Sequence, residues 1–100
     1  MAIKIVWADE ATKTFDENLN YLLKEWSERE AENFVKQANA IFGRLKKYPE
    51  SYPPSPKSNK VRKARANKYI TLYYRFYPSR KEIMLLTWWN VKQDSKKLKF

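Results

Sequence analysis

The spacing of apolar positions changes along the chain, and each spacing predicts a different element. Residues 3–7 alternate around Lys4 in a β-branched run, which predicts a short first strand. Asp9 then offers an N-cap, and apolar residues recur beyond it at intervals of three and four. This spacing predicts an amphipathic first helix whose apolar stripe is Phe15, Leu19, Leu22, Leu23 and Trp26.

A second helix is predicted to begin almost where the first one ends. Ser27 and Glu30 have the spacing of a capping box, in which the two side chains satisfy free backbone N–H groups. The apolar face that follows consists of Ala31, Phe34, Val35, Ala38, Ile41, Phe42 and Leu45. Two helices joined this tightly form an αα-hairpin.

Proline interrupts the pattern over residues 49–59, where four prolines exclude a helix and a central strand alike. We predict a loop that crosses one end of the sheet, although a loop of this length is also typical of functional segments. Beyond it, β-prone segments over 60–66, 69–77 and 82–89 are separated by two short links. Three strands with such links form an antiparallel meander.

The middle strand of this meander is rich in apolar atoms on both faces. One side carries Ile70, Leu72, Tyr74 and Phe76, and the other carries Tyr69, Thr71, Tyr73, Arg75 and Tyr77. The first set is the better core and the second the better working face, but alternation alone leaves the exposed face undecided. Trp88 and Trp89 are adjacent, so we expect one in the core and the other exposed or at an interface.

The predicted element order is β-α-α-β-β-β within a single domain over residues 1–100. The fold class is α+β, with a helical hairpin packed on a mostly antiparallel four-stranded sheet. A chain of 100 residues with 43% hydrophobic content supplies one core without disulfides or a structural metal.

Charge is distributed unevenly between the two halves of the chain. Residues 1–50 carry eight Lys/Arg and nine Asp/Glu, a net charge of −1, whereas residues 51–100 carry thirteen and two, a net charge of +11. No acidic residue lies between Glu50 and Glu82, and the cations there are interleaved with tyrosines. Positive charge beside aromatic rings is typical of surfaces that bind polyanions.

Missing residue types exclude several kinds of site. The chain has no cysteine, hence no disulfide or thiol nucleophile, and no histidine, the commonest general base and metal ligand. Its single glycine, Gly43, excludes phosphate loops and dinucleotide motifs, so we expect no cofactor. Because cysteine and histidine are missing, we also expect no metal. The N-terminal apolar run is too short for a signal peptide or a membrane span, which favours a cytoplasmic protein without a membrane partner.

The element order and several short segments resemble the RelE/ParE superfamily of bacterial toxins from type II toxin–antitoxin modules. The segments are Ile5-Val6-Trp7-Ala8, Val61-Arg62-Lys63-Ala64, Tyr69-Ile70-Thr71-Leu72-Tyr73-Tyr74-Arg75 and Ile83-Met84-Leu85-Leu86. The tail from Trp88 to Leu98 is similar to the terminal segment of ParE-like members. The resemblance implies a growth-inhibiting toxin, of the kind that stabilises plasmids, and a cognate antitoxin as its partner.

The resemblance implies one of two targets. ParE-like members inhibit DNA gyrase by binding it, whereas RelE-like members cut messenger RNA on the ribosome. For the second activity, a metal-independent endoribonuclease, it implies Lys63, Arg65 and Arg75 as tentative catalytic residues, Lys63 as base and an arginine on the phosphate. Ile70 stands where RelE-like toxins usually have arginine, and no histidine or tyrosine follows Tyr77, so gyrase inhibition is slightly favoured.

The basic half is expected to contact the target or nucleic acid through nine further residues: Lys60, Arg62, Lys68, Tyr69, Tyr73, Tyr77, Arg80, Lys81 and Lys92. Two other interpretations stay open. The cations can protect a sheet edge while the tyrosines form ordinary cross-strand pairs, or the protein is a non-catalytic nucleic-acid-binding module. In the toxin interpretations, the charge of this half predicts an acidic antitoxin with apolar anchors.

Overall fold

The helices and strands follow the predicted order in the computed structural model, which describes residues 2–91. Strand β1 covers Lys4–Trp7, and helices α1 and α2 cover Asp9–Glu25 and Glu28–Lys47. They are followed by β2 (Pro54–Ser55), β3 (Ser58–Arg65), β4 (Ile70–Tyr77), a 3-10 turn (Pro78–Arg80) and β5 (Glu82–Asn90). Lys92, one of the residues predicted to contact the target, lies outside the described residues.

The sheet contains five strands in the order β1-β5-β4-β3-β2. β1 runs parallel to β5, and the other neighbouring strands are antiparallel. The predicted fold class is confirmed, but the sheet has one strand more than the expected four because Pro54–Ser55 pairs with β3. This extra strand lies at the sheet edge, where a proline without an N–H group costs no ladder hydrogen bond.

Both helices pack on one face of the sheet, and the core lies between them. The strands contribute Ala64, Ile70, Leu72, Tyr74, Ile83, Leu85 and Trp88, all buried, and α2 contributes Ala31, Phe34, Ala38, Ile41 and Leu45. In β4 the core face is therefore the one that carries Ile70 and Leu72. Thr71, Tyr73 and Arg75 on the other face stay partly exposed.

α1 packs part of its predicted apolar stripe on the core, namely Phe15, Leu19 and Leu22, but not the rest. Its buried residues are Ala11, Thr14, Asn18 and Leu22, whereas Leu23 and Trp26 are 48% and 51% exposed. The expected apolar end of the stripe is therefore wrong. Thr14 and Asn18 are buried because they bond to the backbone of β5: the Trp88 N–H donates to Thr14 Oγ1 at 2.9 Å, and Asn18 Nδ2 donates to the Trp88 carbonyl oxygen at 3.0 Å.

The two helices begin in different ways. Ala8 is the N-cap of α1, so the expectation of Asp9 is wrong by one residue; Asp9 lies in the first turn, where its charge complements the helix dipole. Ser27 caps α2 as predicted, and its Oγ accepts the Glu30 N–H at 3.2 Å. Neither helix within residues 2–91 combines the length and apolar character that crossing a bilayer requires.

β5 carries one more residue than the part of β4 that it faces. Tyr73 pairs with Thr87 and Tyr74 with Leu85, so Leu86 forms a β-bulge. The bulge interrupts the alternation, and Thr87 and Trp88 are consequently both buried although they are adjacent. Trp89 then lies on the face away from the helices, opposite Thr71.

Candidate functional site

The sheet face that the helices leave uncovered carries a row of cations. Lys63 pairs with Tyr73 and Arg65 with Thr71, so these side chains share one face, and Arg75 follows on the same side of β4. We call this surface the open face. Its other members, from the strand pairing, are Tyr77, Glu82, Met84 and Trp89, with Lys4 and Val6 of β1.

The three tentative catalytic residues lie along the open face rather than around one point. Arg65 is opposite Thr71 and Lys63 opposite Tyr73, while Arg75 is four residues from Thr71 on β4. At the rise of a β-strand, the backbone positions of the two arginines are roughly 13 Å apart. Arg65 also donates to the carbonyl oxygens of Asn67 and Lys68, at 3.3 and 3.4 Å, which draws it toward the β3–β4 turn.

Tyr73 lies at the centre of this row, directly across from Lys63. Burial raises the pKa of its phenol above the usual 10.0, so the hydroxyl keeps its proton at neutral pH. The pair therefore presents a cationic donor beside a neutral hydroxyl donor, a combination that suits an anionic or carbonyl-rich ligand.

Tyr77 is covered by two arginines. The guanidinium carbon of Arg75 lies 4.8 Å from the ring centroid and that of Arg80 lies 4.2 Å away. Arg80 in turn forms an ion pair with Glu82 at 3.4 Å. Tyr77 is therefore placed to hold the arginines at the end of β4. Two cations thus already lie against the ring on which a nucleic-acid base would stack.

Lys68 and Tyr69 do not join the other predicted residues. Asn67 Oδ1 accepts the N–H groups of Tyr69 and Ile70, at 2.8 and 3.0 Å, in an Asx turn that precedes β4. The Tyr69 ring packs instead against Trp26 of α1, 5.8 Å between centroids, with Lys68 Nζ above it at 5.2 Å. The expectation that Tyr69 shares a face with Tyr73 and Tyr77 is therefore wrong, because the turn directs it to the helix side.

A second basic feature is a cavity of about 210 Å³ at the end of the β3–β4 hairpin away from its turn. It is lined by Lys60, Arg62 and Arg75. Arg62 points toward the helix side, since it pairs with the buried Tyr74. Its guanidinium donates to the Tyr52 carbonyl oxygen at 2.7 Å and lies 3.6 Å from the Glu50 carboxylate. Arg62 thus has a structural role in holding the proline-rich loop.

Lys81 contributes through its backbone. It adopts a left-handed conformation with φ of 51°, and its carbonyl oxygen accepts the Lys4 N–H at 2.9 Å. This bond places β1 beside β5. Lys81 itself is exposed.

The open face is better equipped to bind anions than to move protons. Its one carboxylate, Glu82, is already paired with Arg80, and the sequence contains no histidine. Acid–base cleavage needs a group that accepts a proton near the reacting hydroxyl, which leaves Lys63 as the candidate. Within residues 2–91, no group of three or more His, Cys, Asp or Glu residues could hold a metal ion.

Sequence reasoning missed the acidic member of the basic cavity and the apolar part of the open face. Glu50 comes from the proline-rich loop and meets Arg62 only through the chain's folding, so no local pattern marks it. Val6 and Met84 pair across β1 and β5 on the open face. Alternation within those strands was the signal that could have found them.

Comparison with known proteins gives structural matches without sequence matches. No protein-family model and no curated protein matches this sequence. A structure of the chromosomal ParDE TA system from P. aeruginosa is similar over 88% of this chain and 95% of its own, with a TM-score of 0.71 and 14% identity.

Two further solved structures are similar at comparable levels. The YoeB/ParE toxin from Agrobacterium tumefaciens aligns over 88% of this chain and 98% of its own, with a TM-score of 0.64 and 13% identity. A metal-bound toxin from Helicobacter pylori aligns over 96% and 99%, with a TM-score of 0.65 and 16% identity. The chain therefore has the RelE/ParE-like fold that its element order predicted.

Proposed function

We propose that this protein is the toxin of a toxin–antitoxin module and acts by binding its target through the open face. The observation that carries the proposal is a ParE-like fold whose cationic sheet face is left uncovered by its own helices. Lys63, Arg65 and Arg75 form a row there, and apolar and aromatic side chains of neighbouring strands lie on the same face. A charged surface with interspersed apolar contacts suits a macromolecular partner of opposite charge.

Of the two targets, we favour DNA gyrase slightly over messenger RNA on the ribosome. Cleavage of RNA requires a base and an acid within reach of one phosphate. The open-face cations are spread along a row, and Glu82 is engaged by Arg80. An extended row supports binding over an area more directly than it supports reaction at a single bond.

The endoribonuclease alternative rests on one specific contact, the pairing of Lys63 with Tyr73 across β3 and β4. Tyr73 carries its proton at neutral pH, as a phenol does, so it is the group that can protonate the leaving oxygen. In this alternative Lys63 would be the group that accepts the proton of the attacking 2′-hydroxyl. Arg65 or Arg75 would hold the phosphate.

An antitoxin is the second partner that this function requires. The basic half of the chain carries a net charge of +11, so the antitoxin segment that covers the open face should be rich in Asp and Glu. Val6, Met84 and Trp89 offer apolar contacts for its anchors. A neighbouring open reading frame of this composition is expected beside the gene.

The test is induced expression in a bacterial host, combined with two assays on the purified protein. We expect growth arrest, inhibition of gyrase supercoiling, and intact transcripts in ribosome-bound messenger RNA. Lys63→Ala with Arg65→Ala should weaken gyrase inhibition by about tenfold or more, since a buried interfacial cation is worth roughly 1.4 kcal/mol upward. Lys13→Ala with Lys36→Ala, two exposed helix cations, is the matched control.

The outcomes separate the alternatives. If wild type cuts transcripts at the ribosome and the Lys63→Ala, Arg65→Ala variant leaves them intact, the nuclease is established and gyrase inhibition is overturned. A protein that binds nucleic acid but neither arrests growth nor supports either reaction would overturn the toxin proposal in favour of the plain binding module.

A further inference from the structure

The cavity at the end of the β3–β4 hairpin gathers cations from two strands. Lys60 and Arg62 come from β3 and Arg75 from β4, and Phe76 and Pro78 add an apolar wall. Its volume is about 210 Å³, which accommodates one small anion with water rather than a whole nucleotide chain. The cavity therefore differs in shape from the extended open face, although Arg75 borders both.

Both guanidinium groups are held in place before any ligand arrives. Arg62 donates to the Tyr52 carbonyl oxygen at 2.7 Å, and 26% of its side chain is exposed. Arg75 lies over the Tyr77 ring at 4.8 Å. Arginine's planar fork matches the oxygens of a phosphate, and prior ordering lowers the entropy lost on binding.

Within residues 2–91, Glu50 is the one acidic residue that lines the cavity. Its carboxylate lies 3.6 Å from the Arg62 guanidinium, and 62% of its side chain is exposed. An ion pair this exposed is weak. The carboxylate is thus a displaceable anion in a cavity where cations outnumber it three to one.

We propose that this cavity binds one phosphate group and that Glu50 competes for it in the free protein. Arg62 supplies directional N–H donors from the helix side of the sheet, and Lys60 and Arg75 add positive charge to the lining of the cavity. The Glu50 carboxylate withdraws when the phosphate enters. This site does not depend on the protein's being a toxin, since it follows from the cavity alone.

The phosphate can be a free ion or a phosphodiester of a nucleic-acid backbone, and one titration distinguishes them. Inorganic phosphate and a dinucleoside monophosphate are each added to the ¹⁵N-labelled full chain at constant ionic strength, balanced with chloride. The readout is the Nε–H resonances of Arg62 and Arg75. We expect saturable shifts of both with at least one of the two probes.

Three single-site variants make the test specific. Lys60→Ala should weaken binding about tenfold, as expected for loss of a charge-assisted contact. Glu50→Gln should tighten binding about threefold, because an exposed competing ion pair contributes little. Lys13→Ala on α1 removes the same charge far from the cavity and should leave binding unchanged. The affected side chains are exposed, so all three variants should fold.

Saturation by inorganic phosphate alone identifies a free-anion site, and saturation by the dinucleoside monophosphate identifies a backbone site; either supports the proposal. Shifts that spread over many cations without saturating would overturn it. So would an affinity that Lys60→Ala and Glu50→Gln leave unchanged. The measurement needs neither gyrase nor the ribosome, so its outcome is independent of the growth assay.

Discussion

Asn18 joins α1 to β5 through two hydrogen bonds and makes a third within α1. Its Nδ2 donates to the carbonyl oxygens of Thr14 and Trp88, at 2.9 and 3.0 Å, and its Oδ1 accepts from Asn90 Nδ2 at 3.2 Å. The residue is only 6% exposed. Because water cannot replace these bonds, the side chain fixes the position of α1 on the sheet that carries the open face.

Replacing Asn18 by leucine should lower the free energy of unfolding by about 2 to 3 kcal/mol, since it leaves buried polar groups unsatisfied. Urea denaturation measures the change. Asn20→Leu, an exposed position on the same helix, is the control and should stay within about 0.5 kcal/mol of wild type. Equal effects at the two positions would contradict the role assigned to Asn18.

Tyr74 couples stability to alkaline pH. Burial raises the pKa of its phenol to about 12, and its hydroxyl donates to the Pro49 carbonyl oxygen at 2.9 Å. The folded pKa lies above the unfolded value of 10.0, so the neutral form is favoured by folding. This contribution is therefore complete below about pH 10 and is lost as the pH rises toward 12.

The Tyr74→Phe variant should lose about 1 kcal/mol at neutral pH with its hydrogen bond. Between about pH 9 and about pH 11.5, wild type should lose about 2 kcal/mol more stability than the variant does. Urea denaturation of both proteins at the two pH values gives the difference. Parallel losses in the two proteins would show that Tyr74 does not cause the alkaline destabilisation.

At the scale of elements, apolar spacing predicted the helices and strands that present one continuous face to the core. α2 and the strands of the meander end within a few residues of their expected limits, because each presents one regular face to the core. β2 escaped prediction because it has two residues and exists only through its pairing with β3. In the buried stripe of α1, Thr14 and Asn18 escaped prediction because they are buried through hydrogen bonds to the backbone of β5.

The candidate site likewise contains residues that local spacing predicted and residues that it did not. Strand alternation correctly placed Lys63 with Arg65 on β3 and Tyr73 with Arg75 on β4, since a strand's period of two is a local property. Tyr69 was misplaced because the Asx turn at Asn67 ends that alternation one residue before β4. The cavity around Arg62 and Glu50 combines distant segments, so its composition could not be predicted from spacing.

The start of α2 depends on one side chain. Ser27 Oγ accepts the Glu30 N–H, so Ser27→Ala should cost about 1 kcal/mol of stability. Ser27→Asp preserves an acceptor at the N-cap and should stay close to wild type. Thermal unfolding of the three proteins compares them directly. A Ser27→Asp protein as unstable as Ser27→Ala would show that capping is not the cause.

At the scale of the whole molecule, charge is distributed unevenly between the helices and the meander. The helices come from a half of net charge −1, and the meander from a half of net charge +11. Such a separation produces a field that orients approach to an anionic partner and weakens as salt is added. The location of the charge should therefore matter more than its total.

Chromatography on an immobilised polyanion tests whether the location of the charge matters more than its total. Lys63→Glu with Arg65→Glu should elute at lower salt than Lys13→Glu with Lys36→Glu, although both double variants have the same net charge. The reason is that fewer counterions are released when the concentrated cations are removed. Coincident elution would indicate binding governed by net charge alone.

We propose that the protein arrests growth through the open face, and growth after induced expression is the measurement that tests this proposal. The Lys63→Glu, Arg65→Glu variant should restore growth, and the Lys13→Glu, Lys36→Glu variant of equal net charge should arrest it like wild type. Immunoblots and thermal unfolding confirm that all three proteins are present and folded. If wild type leaves growth unaffected, or if both variants arrest growth equally, the proposed role of the open face is wrong.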